Sequence, residues 1–464
     1  MRTNSIWLCN LVSMKKAKIL AWSAILVVNC MFVVHLVNKI QTALEKCYDI
    51  DSQTTTLNNA LIDIHQLERR DVQHANATTA LPGTSAQKTY PHILPYTDLH
   101  WEWIKKNVSR KSFLYRNISL LSAFEYADQI AIMVTTENLY SEKVYCHYYD
   151  SKRKSLNEPY EAFIFPESVA YCMRKHGARF VSLTEQLNDT PNDPIPLIDR
   201  TSPEPEHFFG VCIASIYGTE PKWLLLAEYI EYYKLQGATY FYIFIVNMTE
   251  YDRLLVDDYV RTGEAEVIIL HDNHGREDDD WQRIQIQNCL LRSRNHSYWS
   301  AVVDIDERLE IIKNNWTLVD FLRQLDPVFG SIMIRQRWIT KTERQPERYI
   351  SDIETQKWMP TQRYFNTSHV GPFGHTTKNI IRGNAVGAMF IHFPYELYPG
   401  YRQYYLDPKE GNVRHYRDLN LGKWGEKWLK EIESFGSFQI TKLDDELSKK
   451  LIENVQKRVR YVYG

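Results

Sequence analysis

Net charge is almost absent from this chain: 55 Lys and Arg stand against 57 Asp and Glu, leaving −2 over 464 residues. So balanced a chain does not attract a polyanion, which excludes nucleic acid as the expected partner. Cysteine is scarce, at seven residues, and no Cys/His group has the sequence spacing of a zinc site. No Walker-type phosphate loop and no nucleophile motif occurs, which counts against a nucleotidyltransferase or phosphatase. No internal repeat is evident. What remains is a chain of ordinary globular composition, long enough for two or three domains.

Charge is missing altogether from Ile19 to Asn38. About 20 helical residues at ~1.5 Å each span roughly 30 Å, the hydrocarbon thickness of a bilayer. Lys15, Lys16 and Lys18 precede the run and Lys39 follows it. This bias predicts a cytoplasmic tail at 1–18, a transmembrane signal anchor at 19–38 and a luminal remainder, a single-pass type II arrangement. A cleaved signal peptide is the alternative, but no A-x-A-like site follows the run. No K-D-E-L-type tail ends the chain, and an anchor followed by a stem suits the Golgi membrane.

A luminal chain should carry N-glycans and disulfides. Acceptor sequons occur at Asn76, Asn107, Asn117, Asn188, Asn247, Asn295, Asn315 and Asn366. Beyond the anchor lie Cys47, Cys146, Cys172, Cys212 and Cys289. The expected pairs are Cys146–Cys172 and Cys212–Cys289, which leaves Cys47 for a disulfide-linked homodimer.

Residues 39–110 read as a luminal stem, polar and too poor in apolar residues to offset chain entropy. Residues 111–205 hold short β-branched and aromatic runs at Gln129–Val134, Lys143–Tyr148, Ala162–Phe165 and Arg179–Ser182, the pattern of a small β-rich domain. From 206 to 464 the pattern becomes strand alternating with helix. Strands are expected at Phe208–Ser215, Thr239–Val246, Ala265–Leu270 and Tyr298–Val303, with helices at Lys222–Leu235, Thr249–Arg261 and Trp281–Arg294. Alternation of this kind implies βαβ units and a mostly parallel, Rossmann-like sheet flanked by helices, an α/β fold. The acidic run Glu277–Asp280 fits a helix N-terminus better than a metal site.

The fourth strand of this series ends in Asp304-Ile305-Asp306-Glu307. Ligands of open α/β sheets bind beyond the carboxyl ends of strands. Residues i and i+2 of an extended chain point to one side, so Asp304 and Asp306 should converge there. With no sequence-local cation, their repulsion calls for a divalent ion, Mn2+ or Mg2+, able to clamp a diphosphate. A dehalogenase-type phosphatase would need Thr two residues after this motif, where Arg308 stands.

The segments Trp223–Phe244, Asn288–Arg294, Val303–Leu309 and His415–Arg417, in this order, resemble glycosyltransferase family 92 over about residues 208–420. The resemblance implies a GT-A fold behind a type II anchor. It further implies metal-dependent, inverting transfer from a UDP-sugar, typically UDP-galactose, to give a β-linked galactose on a glycoprotein or glycolipid glycan. Arg308 departs from the aromatic residue the family often has there, and is not expected to touch the metal. By the same resemblance Asp306 is the direct metal ligand, and Asp304 serves the metal or the nucleotide. A C-terminal His ligand is expected, His392 first and His415 second. Lys378 is a candidate for the diphosphate, and Tyr217 and Glu220, in the first βα turn, for the nucleotide. An inverting displacement needs a general base, for which Glu343, Glu347 and Asp352 are candidates, with Trp338 and Trp358 nearby as platforms for acceptor sugars. A membrane-anchored, catalytically inactive glycan-binding relative is the rival reading.

Overall fold

The run Tyr240–Ile245 is apolar at every position because both of its faces are covered. The computed structural model describes residues 118–135, 142–156, 158–165, 168–191, 193–271, 281–419 and 422–464, all within the unit Tyr90–Gly464. The expected tail, anchor and stem, Cys47, the sequons at Asn76, Asn107 and Asn117, and the acidic run Glu277–Asp280 lie outside the described residues.

Strands β1 (Ser119–Glu125), β2 (Gln129–Thr135), β3 (Lys143–Tyr149), β4 (Tyr160–Phe163), β5 (Val169–Met173), β6 (Phe180–Thr184) and β7 (Ile195–Asp199) form one sheet in the order β4-β3-β6-β7-β1-β2-β5. Strand and helix then alternate through β8 (His207–Ile216), α1 (Trp223–Leu235), β9 (Tyr240–Ile245), α2 (Glu250–Arg261), β10 (Ala265–Ile269), α3 (Trp281–Ser293) and β11 (Ser297–Val303). Next come β12 (Glu307–Ile311), α4 (Leu318–Gln324), β13 (Phe329–Ile334), β14 (Gln336–Lys341), α5 (Asp352–Trp358), α6 (Pro360–Arg363) and β15 (Asn366–Thr367). The last group is β16 (Lys378–Ile381), β17 (Val386–Met389), β18 (Pro394–Leu397), β19 (Arg402–Tyr405), β20 (Gly411–Asp418), α7 (Gly422–Glu433), β21 (Gln439–Ile440) and α8 (Asp445–Tyr463).

The main sheet runs β10-β9-β8-β11-β16-β13-β19. Strands β10, β9, β8 and β11 are parallel, whereas β16 is antiparallel to both β11 and β13. A smaller sheet, β12-β20-β14-β15-β21, stands beside it. Period-two alternation divides the side chains of the main sheet between two cores. Phe209, Val211, Ile213, Phe241, Ile243, Ile245, Trp299, Ala301 and Val303 pack with α1, α2 and α8. Cys212, Tyr242, Phe244 and Val302 face the other way, onto α3 and onto Phe124, Met133 and Tyr171 of the first sheet.

Helix starts and stops follow local chemistry. Asp252 of α2 accepts hydrogen bonds from the backbone N–H of Lys222 and Trp223 at 2.9 and 2.8 Å, satisfying the otherwise orphan donors that open α1. Gly237 closes α1 at φ +93°, and a Cβ there would lie 2.5 Å from Val319, so only glycine fits.

One part of the expected architecture is corrected. No helix among the described residues is long and apolar enough to cross a membrane, and the span 19–38 lies outside them. Even α1, the most apolar-looking helix, has 13 residues and carries Glu228 and Glu231, against about 20 apolar residues for a crossing. The architecture described is a mixed α/β fold with no transmembrane helix.

Both expected disulfides are formed: Cys146–Cys172 ties β3 to β5, and Cys212–Cys289 ties β8 to α3. The second closes a separation of 77 residues, for which chain-entropy arguments give roughly 4 kcal/mol. Replacing both Cys212 and Cys289 by Ala should lower the free energy of unfolding by about that amount, and the double Ala variant of Cys146 and Cys172 by somewhat less. Denaturant melts of the oxidised protein measure both, and unchanged midpoints would show that these thiols do not pair.

Candidate active site

The chain reverses between β11 and β12 within Asp304-Ile305-Asp306, with the Glu307 N–H donating to the Asp304 carbonyl at 3.0 Å. Strand β12 then leaves the main sheet and pairs with β20, placing Glu307 opposite His415. Strand β16 runs antiparallel to β11 with Asn379 opposite Val302, so Lys378 arrives beside the start of the turn. Backbone register thus gathers three acids and two cations from three places in the sequence.

Lys378 is buried, its Nζ 2.8 Å from Asp304 Oδ2 and 3.1 Å from Glu307 Oε2. The same Glu307 oxygen accepts the Asp304 N–H at 2.9 Å. His415 lies 3.2 Å from Asp306 Oδ2 through Nε2, and 2.8 Å from Gln336 Oε1 through Nδ1. The Gln336 amide nitrogen donates to the Thr376 carbonyl, which turns its oxygen towards His415. Nδ1 therefore donates to Gln336, which leaves Nε2 as the nitrogen presented to Asp306.

Burial pushes the Glu307 carboxyl up to about 7, with Asp304 adding to the rise and Lys378 and His415 opposing it. Burial would also raise Asp306, but the neighbouring His415, by charge and hydrogen bond, holds it well below the usual carboxylate range. For His415 burial disfavours the charge, yet Asp306 and Glu307 lift it above the ordinary imidazole value. Lys378 is likewise raised by Asp304 and Glu307 against its burial. The acids of the turn do have cations, though none is local in sequence.

The donor set fits a hard divalent ion in a limited way. Asp306 oxygen and His415 nitrogen face each other, and Mg2+ or Mn2+ commonly takes one or two protein ligands plus phosphate and water. Gln336 supplies the second-sphere hydrogen bond that fixes a ligating imidazole. Asp304 is held by Lys378, and among the described residues it does not join Asp306 and His415 in a three-ligand cluster.

Arg308 takes no part in this donor set. Its Nη1 donates to the Ile305 and Glu307 carbonyls at 2.8 and 3.1 Å, and its Nη2 lies 3.3 Å from Glu228 Oε1 of α1. Both side chains of this pair are fully buried, so the turn is pinned from beneath to the first helix.

The other candidates lie as follows. His392 donates through Nδ1 to the Thr377 carbonyl at 3.1 Å, and burial followed by the Lys378 charge lowers its pKa; the imidazole in contact with Asp306 is His415. Tyr217 and Glu220 occupy the β8–α1 turn, Glu220 lying 3.6 Å from Lys222. Glu343 pairs with Arg363, Glu347 with Arg344 at 4.0 Å, and Asp352 with Arg460 at 2.7 Å; these partners all lie outside the Asp304–Glu307 turn. Trp338 is not a sugar platform: it is 1% exposed and packs against Trp428, Phe435 and His375. Trp358 is covered by the Arg363 guanidinium, 3.9 Å from its ring centre.

Sequence reasoning passed over Glu307, Gln336 and an aromatic cleft. Strand β13 is antiparallel to β16 with Ile334 opposite Lys378, so its carboxyl end shares an edge with Asp304. Beyond that end a cleft is lined by Met333, Arg335, Phe373, Tyr405 and Asp407. Phe373 and Tyr405 are exposed, with ring centres 5.2 Å apart. Two lone aromatics 32 residues apart in sequence carried no signal; Glu307, a third acid directly after Asp304-Ile305-Asp306, did.

The model of glycosyltransferase family 92 matches residues 207–451. Among curated proteins none matches. Of the solved structures, S. aureus TarS, residues 1–349, is 14% identical, with 54% of this chain and 71% of that one covered, at a TM-score of 0.24. The mannosyltransferase PcManGT from Pyrobaculum calidifontis, in complex with GDP-Man and Mn2+, is 10% identical, with 55% and 72% covered, at 0.26. Glucosyl-3-phosphoglycerate synthase from Mycobacterium tuberculosis is 8% identical, with 55% and 81% covered, at 0.22. Likeness at these scores is distant.

Replacing Arg308 by Met should destabilise the protein by about 3–5 kcal/mol, because Glu228 is left buried without its partner. The double variant Arg308→Met, Glu228→Leu should recover much of that loss. Denaturant unfolding of the four proteins of this cycle checks it; equal losses in the single and double variants would refute the pinning role.

Proposed function

This chain belongs to glycosyltransferase family 92, and from that membership and the geometry of the Asp304–Glu307 turn we propose that it moves galactose from UDP-galactose to a glycan, with inversion. The family makes it a glycosyltransferase, with a nucleotide-sugar donor and a glycan acceptor. The contact between Asp306 and His415 at the carboxyl edge of the main sheet supports the metal-dependent part of this reading; the galactosyl donor and the inversion rest on the family resemblance. A divalent ion bound there, Mn2+ by preference, would neutralise charge on the departing diphosphate.

The residues around it do the rest. Gln336 keeps the His415 ring in one orientation and tautomer. Lys378, charged and buried, offers a cation to a donor phosphate once Asp304 turns towards the nucleotide or the ion. Glu307 spaces the two cations from below. Phe373 and Tyr405 offer apolar faces on which an acceptor sugar can stack. One of Glu343, Glu347 and Asp352 takes the acceptor hydroxyl proton, after release from its arginine. Tyr217 and Glu220 flank the nucleotide.

The two disulfides and the exposed sequons at Asn188, Asn247, Asn315 and Asn366 support work in the oxidising lumen of the secretory pathway, in the Golgi by the family's habit. One observation favours the rival reading of an inactive glycan-binding protein: Lys378 already closes on Asp304.

UDP release from a panel of UDP-sugars separates the two. Release with UDP-galactose should require Mn2+ and vanish with EDTA. Asp306→Ala should lower kcat at least about 100-fold, and Gln336→Leu should weaken the apparent Mn2+ affinity about 10–100-fold. No release with any donor, mixed glycans being present, would leave the glycan-binding reading.

Phe373→Ala and Tyr405→Ala should raise the acceptor KM, roughly 5–10-fold for the loss of ~1 kcal/mol of stacking, and leave donor hydrolysis unchanged. Equal effects on both reactions would place the cleft elsewhere in the mechanism.

A further inference from the structure

The parallel pairing of β8 with β11 sets Ser297 opposite His207, and the His207 N–H donates to the His296 carbonyl at 3.0 Å. Two imidazoles therefore meet at the amino ends of the strands. Asp304 lies past the carboxyl end of β11, roughly 25 Å away along the strand. Glu206, the last residue before β8, stands with them: one ligand atom from each of Glu206, His207 and His296 lies within 4.8 Å of the other two. We propose that Glu206, His207 and His296 form a second metal site, selective for Zn2+ and separate from the transfer site.

Each ring is held as a metal-binding imidazole is held. His296 is buried and its Nδ1 lies 2.7 Å from the Tyr242 hydroxyl, which is also 2.7 Å from Ser297 Oγ. His207 Nδ1 lies 3.0 Å from Thr239 Oγ1, and the ring stacks on Tyr240 at 4.7 Å. With both Nδ1 atoms engaged, Nε2 of each ring is the nitrogen open to an ion, and hydroxyl partners of this kind orient first-sphere ligands. Glu206 Oε2 already lies 3.9 Å from His296 Nε2, on a side chain 75% exposed and free to turn inwards.

Two imidazoles and a carboxylate, with a fourth position for water, make a donor set suited to zinc. The setting disfavours hard cations. Arg292 and Arg200 lie nearby, and both are drawn to Glu266, at 2.7 and 3.7 Å. An ion that depends on oxygen ligands finds one carboxylate against that residual positive charge, whereas zinc gains two nitrogen ligands. Glu206 ends the connector from the first sheet, and Arg200 of that connector donates to the Arg292 carbonyl at 2.9 Å. A bound ion would staple the connector to the rim of the main sheet.

The test uses the full chain carrying Asp306→Ala, which removes the active-site metal carboxylate. The protein is stripped with EDTA, dialysed, and titrated with Zn2+ against a chromophoric chelator. One Zn2+ per chain is expected, with Co2+ taking its place to give the strong visible absorption of a four-coordinate ion. Adding Glu206→Gln or His207→Asn should weaken Zn2+ binding at least about tenfold. Glu206 is exposed, so its variant keeps the fold, which thermal melting verifies. In a chain that keeps Asp306, Glu206→Gln alone should leave UDP release unaltered. No Zn2+ uptake by the Asp306→Ala chain, or uptake insensitive to both added substitutions, overturns the proposal. Neither result bears on the transferase reading, which UDP release decides.

Discussion

Everything at the candidate active site depends on keeping three carboxylates within one turn without letting their repulsion open it. Two cations from distant strands do this, Lys378 against Asp304 and Glu307, and His415 against Asp306 and Glu307. In a buried setting such pairing is strong only when every partner is present and well placed. Glu307, fully buried and touching both cations, is the member that makes the cluster one object. Its carboxyl, pushed up to about 7, records the cost of confining that much charge.

The surrounding fold is arranged to hold that turn. Beneath it, the Arg308–Glu228 pair joins the turn to α1, and Asp252 caps the start of α1 from α2. On the far face of the sheet, the disulfide from Cys212 to Cys289 fastens β8 to α3. Strands β16 and β20 bring the cations, and each is placed by backbone pairing. Small shifts of a strand would move whole side chains to the other face, so register is what protects the chemistry.

The two ends of β8 and β11 differ in chemistry for the same reason. Parallel strands line up like ends with like. The carboxyl edge collects the acids of the turn with Lys378 and His415, and the amino edge collects Glu206, His207 and His296. The sheet separates a carboxylate-rich site suited to a hard ion from an imidazole-rich one suited to a softer ion.

The elements of the α/β half were legible because their cause is local. Apolar runs with period two or 3.6, and a helix-ending glycine such as Gly237, depend on neighbours a few residues away. Asp304 and Asp306 were legible because they follow an apolar strand at its carboxyl end, where ligands of an α/β sheet bind, although the chain turns there instead of staying extended and sends the two carboxylates to different partners; both disulfides were anticipated from the cysteines alone. The partners of those acids were not. Lys378 and His415 lie 74 and 109 residues from Asp304 and Asp306, and only antiparallel pairing with β11 and β12 brings them in. For the same reason the sequence reading put His392 ahead of His415 when the imidazole that meets Asp306 is His415, the two tryptophans looked available when Trp338 is core, and His207 and His296 showed no metal spacing at all. Local stereochemistry determined the elements and the acidic turn. Long-range strand register, which no stretch of sequence carries by itself, decided which charges and rings meet.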